Sequence, residues 1–154
     1  KGGHSLLDKD SIECLEKELF PKSFLITPNI PEAEKILKMQ IKSRKNMEDS
    51  ITMFKKIKVN NVLLKGGHLD GDKVIDLLLK EEKIYKFISD KVKTSNTHGT
   101  GCTLASAIAC NLFKGFKLHD SVEKARNYVI SCIFKPHIVG NGHNPLNHFC
   151  KLFN

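Results

Sequence analysis

Apolar residues along this chain fall into two kinds of pattern. Rows at three- and four-residue spacing predict helices. One runs through Ile12, Leu15 and Leu19, capped by Asp8 or Asp10 and closed by Pro21. A second opens at Pro31 and covers Glu32 to Leu37, with Pro in the first turn where its missing N–H does no harm. A third lies near Met47 to Lys58 with Ile51, Phe54 and Ile57 on one face, and a long amphipathic helix spans roughly His119 to Phe134. Short unbroken apolar runs, Ser23 to Thr27 and Val62 to Lys65, predict buried strands. Lys73 to Leu79 and Lys83 to Ser89 flank Lys80-Glu81-Glu82 and predict an antiparallel hairpin. Thr103 to Ala109 is rich in small residues and reads as a buried helix ended by Gly115, and the tail from Pro136 is irregular. Strands alternating with helices predict a single α/β domain over residues 1–154, with a mostly parallel sheet flanked by helices. Ligands of such sheets bind beyond the carboxyl ends of the strands.

Three polar motifs fall at such ends: Thr27-Pro28-Asn29, Lys65-Gly66-Gly67-His68, and the approach to Gly99-Thr100-Gly101-Cys102. The last opens a helix, whose first turn offers unpaired N–H groups and the positive end of its dipole, while two glycines allow close approach. It is therefore a candidate anion site, and Cys102 stands where a helix N-terminus favours thiolate. The P-loop pattern is absent, because no Lys-Ser or Lys-Thr follows the last glycine. A cation must come from elsewhere, and Lys65 is the candidate. Asn29 and Glu32, held by Pro28 and Pro31, could serve Mg²⁺ through water; the alternative for Glu32 is that it only complements the helix dipole. Glu34 is expected to face solvent.

Composition narrows the partners. The net charge of +8 raises nucleic acid, yet Arg44 and Arg126 are the sole arginines, the lysines are scattered, and Trp is absent. Bidentate phosphate and base recognition favours Arg, and single strands need stacking platforms, so no nucleic-acid partner is expected. No apolar run approaches a membrane span and no signal-peptide pattern opens the chain, so a cytoplasmic protein is expected, with a homodimer left open. Five cysteines, Cys14, Cys102, Cys110, Cys132 and Cys150, are widely spaced and include no C-x-x-C, which suggests neither a disulfide scaffold nor a zinc site. Most are expected to be buried thiols. His68, His98, His137, His143 and His148 lack the helical spacing of a metal site.

Four phrases taken in order carry a resemblance: Thr27-Pro28-Asn29-Ile30-Pro31-Glu32-Ala33-Glu34, Leu64-Lys65-Gly66-Gly67-His68, Thr97-His98-Gly99-Thr100-Gly101-Cys102-Thr103-Leu104, and Gly142-His143-Asn144-Pro145-Leu146-Asn147-His148-Phe149. Together they resemble the hydroxymethylpyrimidine and phosphomethylpyrimidine kinases of thiamine biosynthesis, members of the ribokinase-like superfamily. Cysteine after Gly-Thr-Gly distinguishes that group from most sugar kinases of the superfamily, which carry aspartate there. The resemblance implies ATP- and Mg²⁺-dependent phosphorylation of hydroxymethylpyrimidine and of its monophosphate. It implies Cys102 as general base, and an anion hole from Gly99, Thr100, Gly101 and the Cys102 amide. Lys65, Thr97 and Thr100 would contact ATP, and Asn29 with Glu32 would organise Mg²⁺ and its waters. It further implies a preceding stretch on the order of a hundred residues, comparable to a small domain, with the first strands and much of the pyrimidine pocket. The chain is thus expected to be a C-terminal fragment, inactive alone. Asn144 stands where a glycine is expected. Alternatives are a pyridoxal kinase-like vitamin kinase and a non-catalytic remnant.

Overall fold

The computed structural model describes residues 9–92, 94, 98–134 and 144–150. It divides into two compact units, residues 1–91 and 92–154.

The first unit opens with α1 (Lys9–Cys14), which continues as a π-helical turn over Leu15–Leu19, where the Phe20 N–H reaches the Leu15 carbonyl. A 3₁₀ turn at Phe20–Lys22 holds Pro21 and ends the helix. Asp8, one of the two expected caps, lies outside the described residues. The next segment runs extended and pairs in parallel with β1 (Asn61–Lys65) through bridges at Ile26 with Val62 and Asn29 with Lys65. Ile26 N–H donates to Asn61 O at 3.1 Å, Leu63 N–H to Ile26 O at 2.8 Å and Lys65 N–H to Pro28 O at 2.9 Å. The rung between them would need an N–H from residue 28, which proline lacks, so the expected strand survives only as two bridges. Asn60 and Asn61 fasten the same segment from their side-chain amides, donating to Ser23 O and Phe24 O at 2.8 and 2.7 Å.

Two helices follow, α2 (Ile30–Leu37) and α3 (Arg44–Met53). The α3 helix starts three residues before the predicted Met47, because Ser43 Oγ accepts the Asn46 N–H at 3.1 Å and caps it there. Glu34 does not simply face solvent. Its Oε1 takes the Ile41 N–H at 2.7 Å and ties down the chain after α2.

The sheet corrects one expectation outright. Its order is β1-β2-β3, with β2 (Lys73–Lys80) antiparallel to β1 and β3 (Lys83–Asp90) antiparallel to β2. A parallel crossover needs a dozen or more residues, and the stretch 66–72 between β1 and β2 is too short for one. Among the described residues of this unit, parallel pairing is confined to the two bridges described above; the second unit has one more, between His98 and Pro145. Val62, Leu64, Ile75, Leu77 and Leu79 share one face of the sheet, covered by Ile30 and Ala33 of α2, Met47 and Ile51 of α3, and Phe54 just beyond it. Each such large side chain contributes on the order of 1.5–3 kcal/mol by leaving water.

The β2–β3 turn is made by Glu81 and Glu82, with φ of 47° and 65°. Both occupy the left-handed region, which gives the twist a two-residue hairpin needs but strains ordinary side chains. Replacing the pair by Asn-Gly (Glu81→Asn with Glu82→Gly) is expected to raise stability by about 1 kcal/mol. A urea midpoint that stays put or falls would contradict the turn geometry.

The second unit pairs α4 (Thr100–Phe113) with α5 (Leu118–Phe134). The α4 helix ends as predicted at Gly115, whose φ is 86°, with Gly115 N–H bonded to Leu112 O and Phe116 N–H to Asn111 O. That double closure is a Schellman motif and requires the left-handed glycine. The α4 helix is less buried than expected. Leu104 and Ile108 are buried, whereas Cys102, Ser106, Cys110 and Phe113 are exposed. In α5, Leu118, Val122, Ala125, Val129 and Cys132 recur at alternating four- and three-residue steps and form its buried stripe. Arg126, one of only two arginines, is buried too, which takes it out of reach of a phosphate backbone. Among the described residues no helix is long and apolar enough to cross a membrane.

Candidate active site

Each unit carries part of the expected site. In the first, the Asn29–Lys65 bridge sets Lys65 beside the start of α2. The α2 N-terminus is closed by a capping box: Asn29 Oδ1 accepts the Glu32 N–H at 2.9 Å, and Glu32 Oε2 accepts the Asn29 N–H at 2.7 Å. Both side chains thus have a structural task. One oxygen of the Glu32 carboxylate is committed to the box, and the residue is exposed, so the other faces solvent. One carboxylate beside water and phosphate oxygens matches how Mg²⁺ is usually held, without an all-protein cage. Among the described residues no group of three or more His, Cys, Asp or Glu side chains could hold a metal ion.

Lys65 ends β1 half-buried, and its ammonium forms no hydrogen bond or ion pair among the described residues. The chain beyond it is fixed by Gly66. A Cβ there would lie far inside contact with the Ile75 carbonyl oxygen and 3.0 Å from Met47 Sδ. Neither Gly66 nor Gly67 has positive φ, so close approach rather than backbone freedom explains glycine at 66. The Gly66 N–H is held by Asp76 Oδ1 at 2.9 Å, and Asp76 is itself buried. Sequence reasoning passed over Asp76. The available signal was one carboxylate inside the apolar run Val74-Ile75-Asp76-Leu77-Leu78-Leu79.

In the second unit, Gly99 caps α4 with φ 88°, and the first intrahelical bond is Thr103 N–H to Gly99 O at 2.9 Å. The amides of Gly101 and Cys102 lie in the first turn before that bond, where helix geometry offers them no i−4 carbonyl. Gly99 as the cap residue has no side chain to close this end, and no acidic residue lies in its first turn. The contrast with α2 is instructive: one helix N-terminus has a capping box and an acidic first turn, and the other has a glycine cap and no acid where an anion is expected. Gly99 has nothing within 4 Å of where a Cβ would stand, so its role there is the left-handed conformation. Cys102 occupies the third position of α4 and is exposed. Thr97, His137 and His143 lie outside the described residues.

From Cys102 a groove of about 780 Å³ runs along Ser106 and Cys110 and is walled by Lys124, Tyr128 and His148. Tyr128 and His148 meet at 2.9 Å between the hydroxyl and Nδ1, with their rings stacked. The expectation of mostly buried thiols fails. Cys14, Cys102 and Cys110 are exposed and only Cys132 and Cys150 are buried. The α4 helix buries only its 104/108 row, and Cys102 and Cys110 lie off it on the groove face.

The family described as phosphomethylpyrimidine kinase matches residues 1–147. The thiamine biosynthesis bifunctional protein ThiED of Geobacter sulfurreducens is 39% identical over 96% of this chain and 30% of its own length. The hydroxymethylpyrimidine/phosphomethylpyrimidine kinase of Bacillus subtilis is 37% identical over 97% of this chain and 55% of its own. Among solved structures, an ADP complex of Bacillus subtilis pyridoxal kinase superposes with a TM-score of 0.90 at 26% identity, covering 100% of this chain and 58% of that one. The chain spans about half the length of the curated kinases it matches.

Proposed function

This chain belongs to the phosphomethylpyrimidine kinase family, and from that premise we propose that it supplies the ATP- and phosphate-handling groups of a kinase of thiamine biosynthesis. The acceptors are hydroxymethylpyrimidine and its monophosphate. The observation that carries the reading is the N-terminus of α4, with a left-handed glycine as its cap and no acidic residue in its first turn. A glycine cap in place of Ser, Thr, Asn or Asp gives up only a few tenths of a kcal/mol, and aligned amides with no competing carboxylate suit the charge on a transferring phosphoryl group. In this reading Gly99, Thr100, Gly101 and the Cys102 amide form the anion hole, and the Cys102 sulfur takes the proton of the acceptor hydroxyl. Lys65, Thr97 and Thr100 bind ATP phosphates. Glu32, with Asn29 behind it, holds Mg²⁺ through water, and the ion when bound neutralises phosphate charge. Phosphoryl transfer asks chiefly for positioning and charge neutralisation, and backbone amides and a lysine supply both. The two units are read as parts of one kinase domain.

The likeness to pyridoxal kinase favours a second reading, in which the acceptor is a pyridoxal-type hydroxymethyl group. Acceptor choice separates the two. Because much of the acceptor pocket then comes from the host enzyme, two chimeras are compared, with this chain replacing the matching portion of the hydroxymethylpyrimidine kinase or of the pyridoxal kinase of Bacillus subtilis. The first is expected to phosphorylate the pyrimidine and its phosphate with ATP, and the second to phosphorylate pyridoxal at least about tenfold more slowly than its parent. The 154-residue chain alone is expected to turn over neither. Lys65→Ala in the first chimera should raise the KM for ATP roughly tenfold, about what one charge-assisted contact contributes. A folded first chimera that transfers no phosphoryl group to either pyrimidine acceptor refutes the assignment.

A further inference from the structure

We propose that Cys132 and Cys150 form a modification site: a thiol pair that a small-molecule disulfide oxidises to an intrachain disulfide joining α5 to the 144–150 segment. The two sulfurs lie 3.7 Å apart and are buried, 1% and 6% exposed, although 18 residues separate them in sequence. Their surroundings already hold them in place. Asn147 N–H bonds the Cys132 carbonyl at 3.2 Å, Leu146 packs in the same small cluster, and the Tyr128–His148 contact pins the segment one turn away. Bond formation must bring the sulfurs from 3.7 Å to about 2 Å, a change within reach of side-chain rotation. The other three cysteines are exposed, whereas this pair is buried.

The chemistry balances as two exchange steps. Cys150 is the more accessible thiol, and its thiolate attacks one sulfur of the small disulfide, releasing one small thiolate and leaving a mixed disulfide. Cys132 then loses its proton and attacks Cys150 Sγ, expelling the second small thiolate. The protein gives up two protons and two electrons, and the oxidant becomes two thiols. Burial pushes the Cys132 thiol upward, and the neighbouring Cys150 adds to this. The closing step therefore gains rate as pH rises through the alkaline range, because the thiolate is the nucleophile. Neither sulfur belongs to the phosphate machinery assigned above, so this inference stands or falls separately from it.

The test is oxidation of the native chain with oxidised glutathione, followed by alkylation and peptide mapping. The expected product has lost about 2 Da, carries one cross-link between the Cys132 and Cys150 peptides, and reverts with dithiothreitol. The triple variant Cys14→Ser, Cys102→Ser, Cys110→Ser is expected to behave identically, whereas Cys150→Ser and Cys132→Ser lose the cross-link. The same oxidation in concentrated urea should scatter linkage among all five cysteines, so the wild-type map alone decides the matter if a variant fails to fold. Stable glutathione adducts on Cys150 without closure overturn the proposal. So does a native chain whose Cys132–Cys150 linkage is no more frequent than in urea.

Discussion

Replacing Cys102 by Ala in the chimeric kinase is expected to lower kcat by about 10²–10³-fold, the usual share of a positioned proton acceptor. That corresponds to roughly 3–4 kcal/mol of lost transition-state stabilisation. The KM for ATP should stay within about threefold, because the proposed anion hole uses the backbone amide of residue 102, which any side chain leaves in place. Stability is not at risk. Cys102 is exposed near the start of α4, and Ala is the better helix former. Cys102→Asp is the informative companion, since aspartate stands there in most sugar kinases of the superfamily. It is expected to recover much of the rate with a pH profile displaced to the acid side, as a carboxylate titrates several units below a thiol. Undiminished turnover in Cys102→Ala would leave the sulfur without a chemical task.

The largest structural effect is expected at Gly66. Alanine there sets a methyl group against the Ile75 carbonyl of β2 and the Met47 side chain of α3, both in the core, and threatens the Asp76 hold on the Gly66 amide. Overpacking of this kind costs about 3 kcal/mol, enough to lower Tm by roughly 10 °C or more. Gly67→Ala is the internal control. Its Cβ would meet only Val74 Cγ1 at 4.0 Å, an ordinary contact, and a change within about 0.5 kcal/mol is expected. Urea denaturation of the two variants checks the pair. Equal stability would mean that β1 and β2 do not approach as closely at Gly66 as described.

Much of this architecture was legible in the sequence because its signals are local. The helix opening at Pro31, the hairpin around Glu81-Glu82 and the glycine ending α4 each depend on a few adjacent residues, and each lies within a residue of where the pattern puts it. Strand orientation was not legible. An apolar run such as Val62-Leu63-Leu64 records that a strand is buried, but not which neighbour it takes or in which direction. Only the short 66–72 connection held that information. The same limit hid the Cys132–Cys150 encounter, which depends on how the chain returns to α5 and leaves no mark on cysteine spacing. At the site, the sequence identified residue types well and their structural duties poorly. Asn29 and Glu32 looked like ligands, yet their first partners are each other's backbone amides.

The connectivity of the sheet also bears on how the first unit assembles. The β2–β3 pair closes across two residues and β1 joins through the short 66–72 connection, so these contacts need little loop-closure entropy and hairpin formation takes microseconds. The parallel docking of the 23–29 segment spans far more chain, since Asn60 and Asn61 reach partners 37 residues earlier. Local pairing first and distant pairing second is the sequence that loop entropy favours. Lys65 is then carried on the part that forms early, while Asn29 and Glu32 come to it last. Proline at 28 removes a rung from that final docking, and the side-chain amides of Asn60 and Asn61 supply two bonds from outside the ladder to hold it closed.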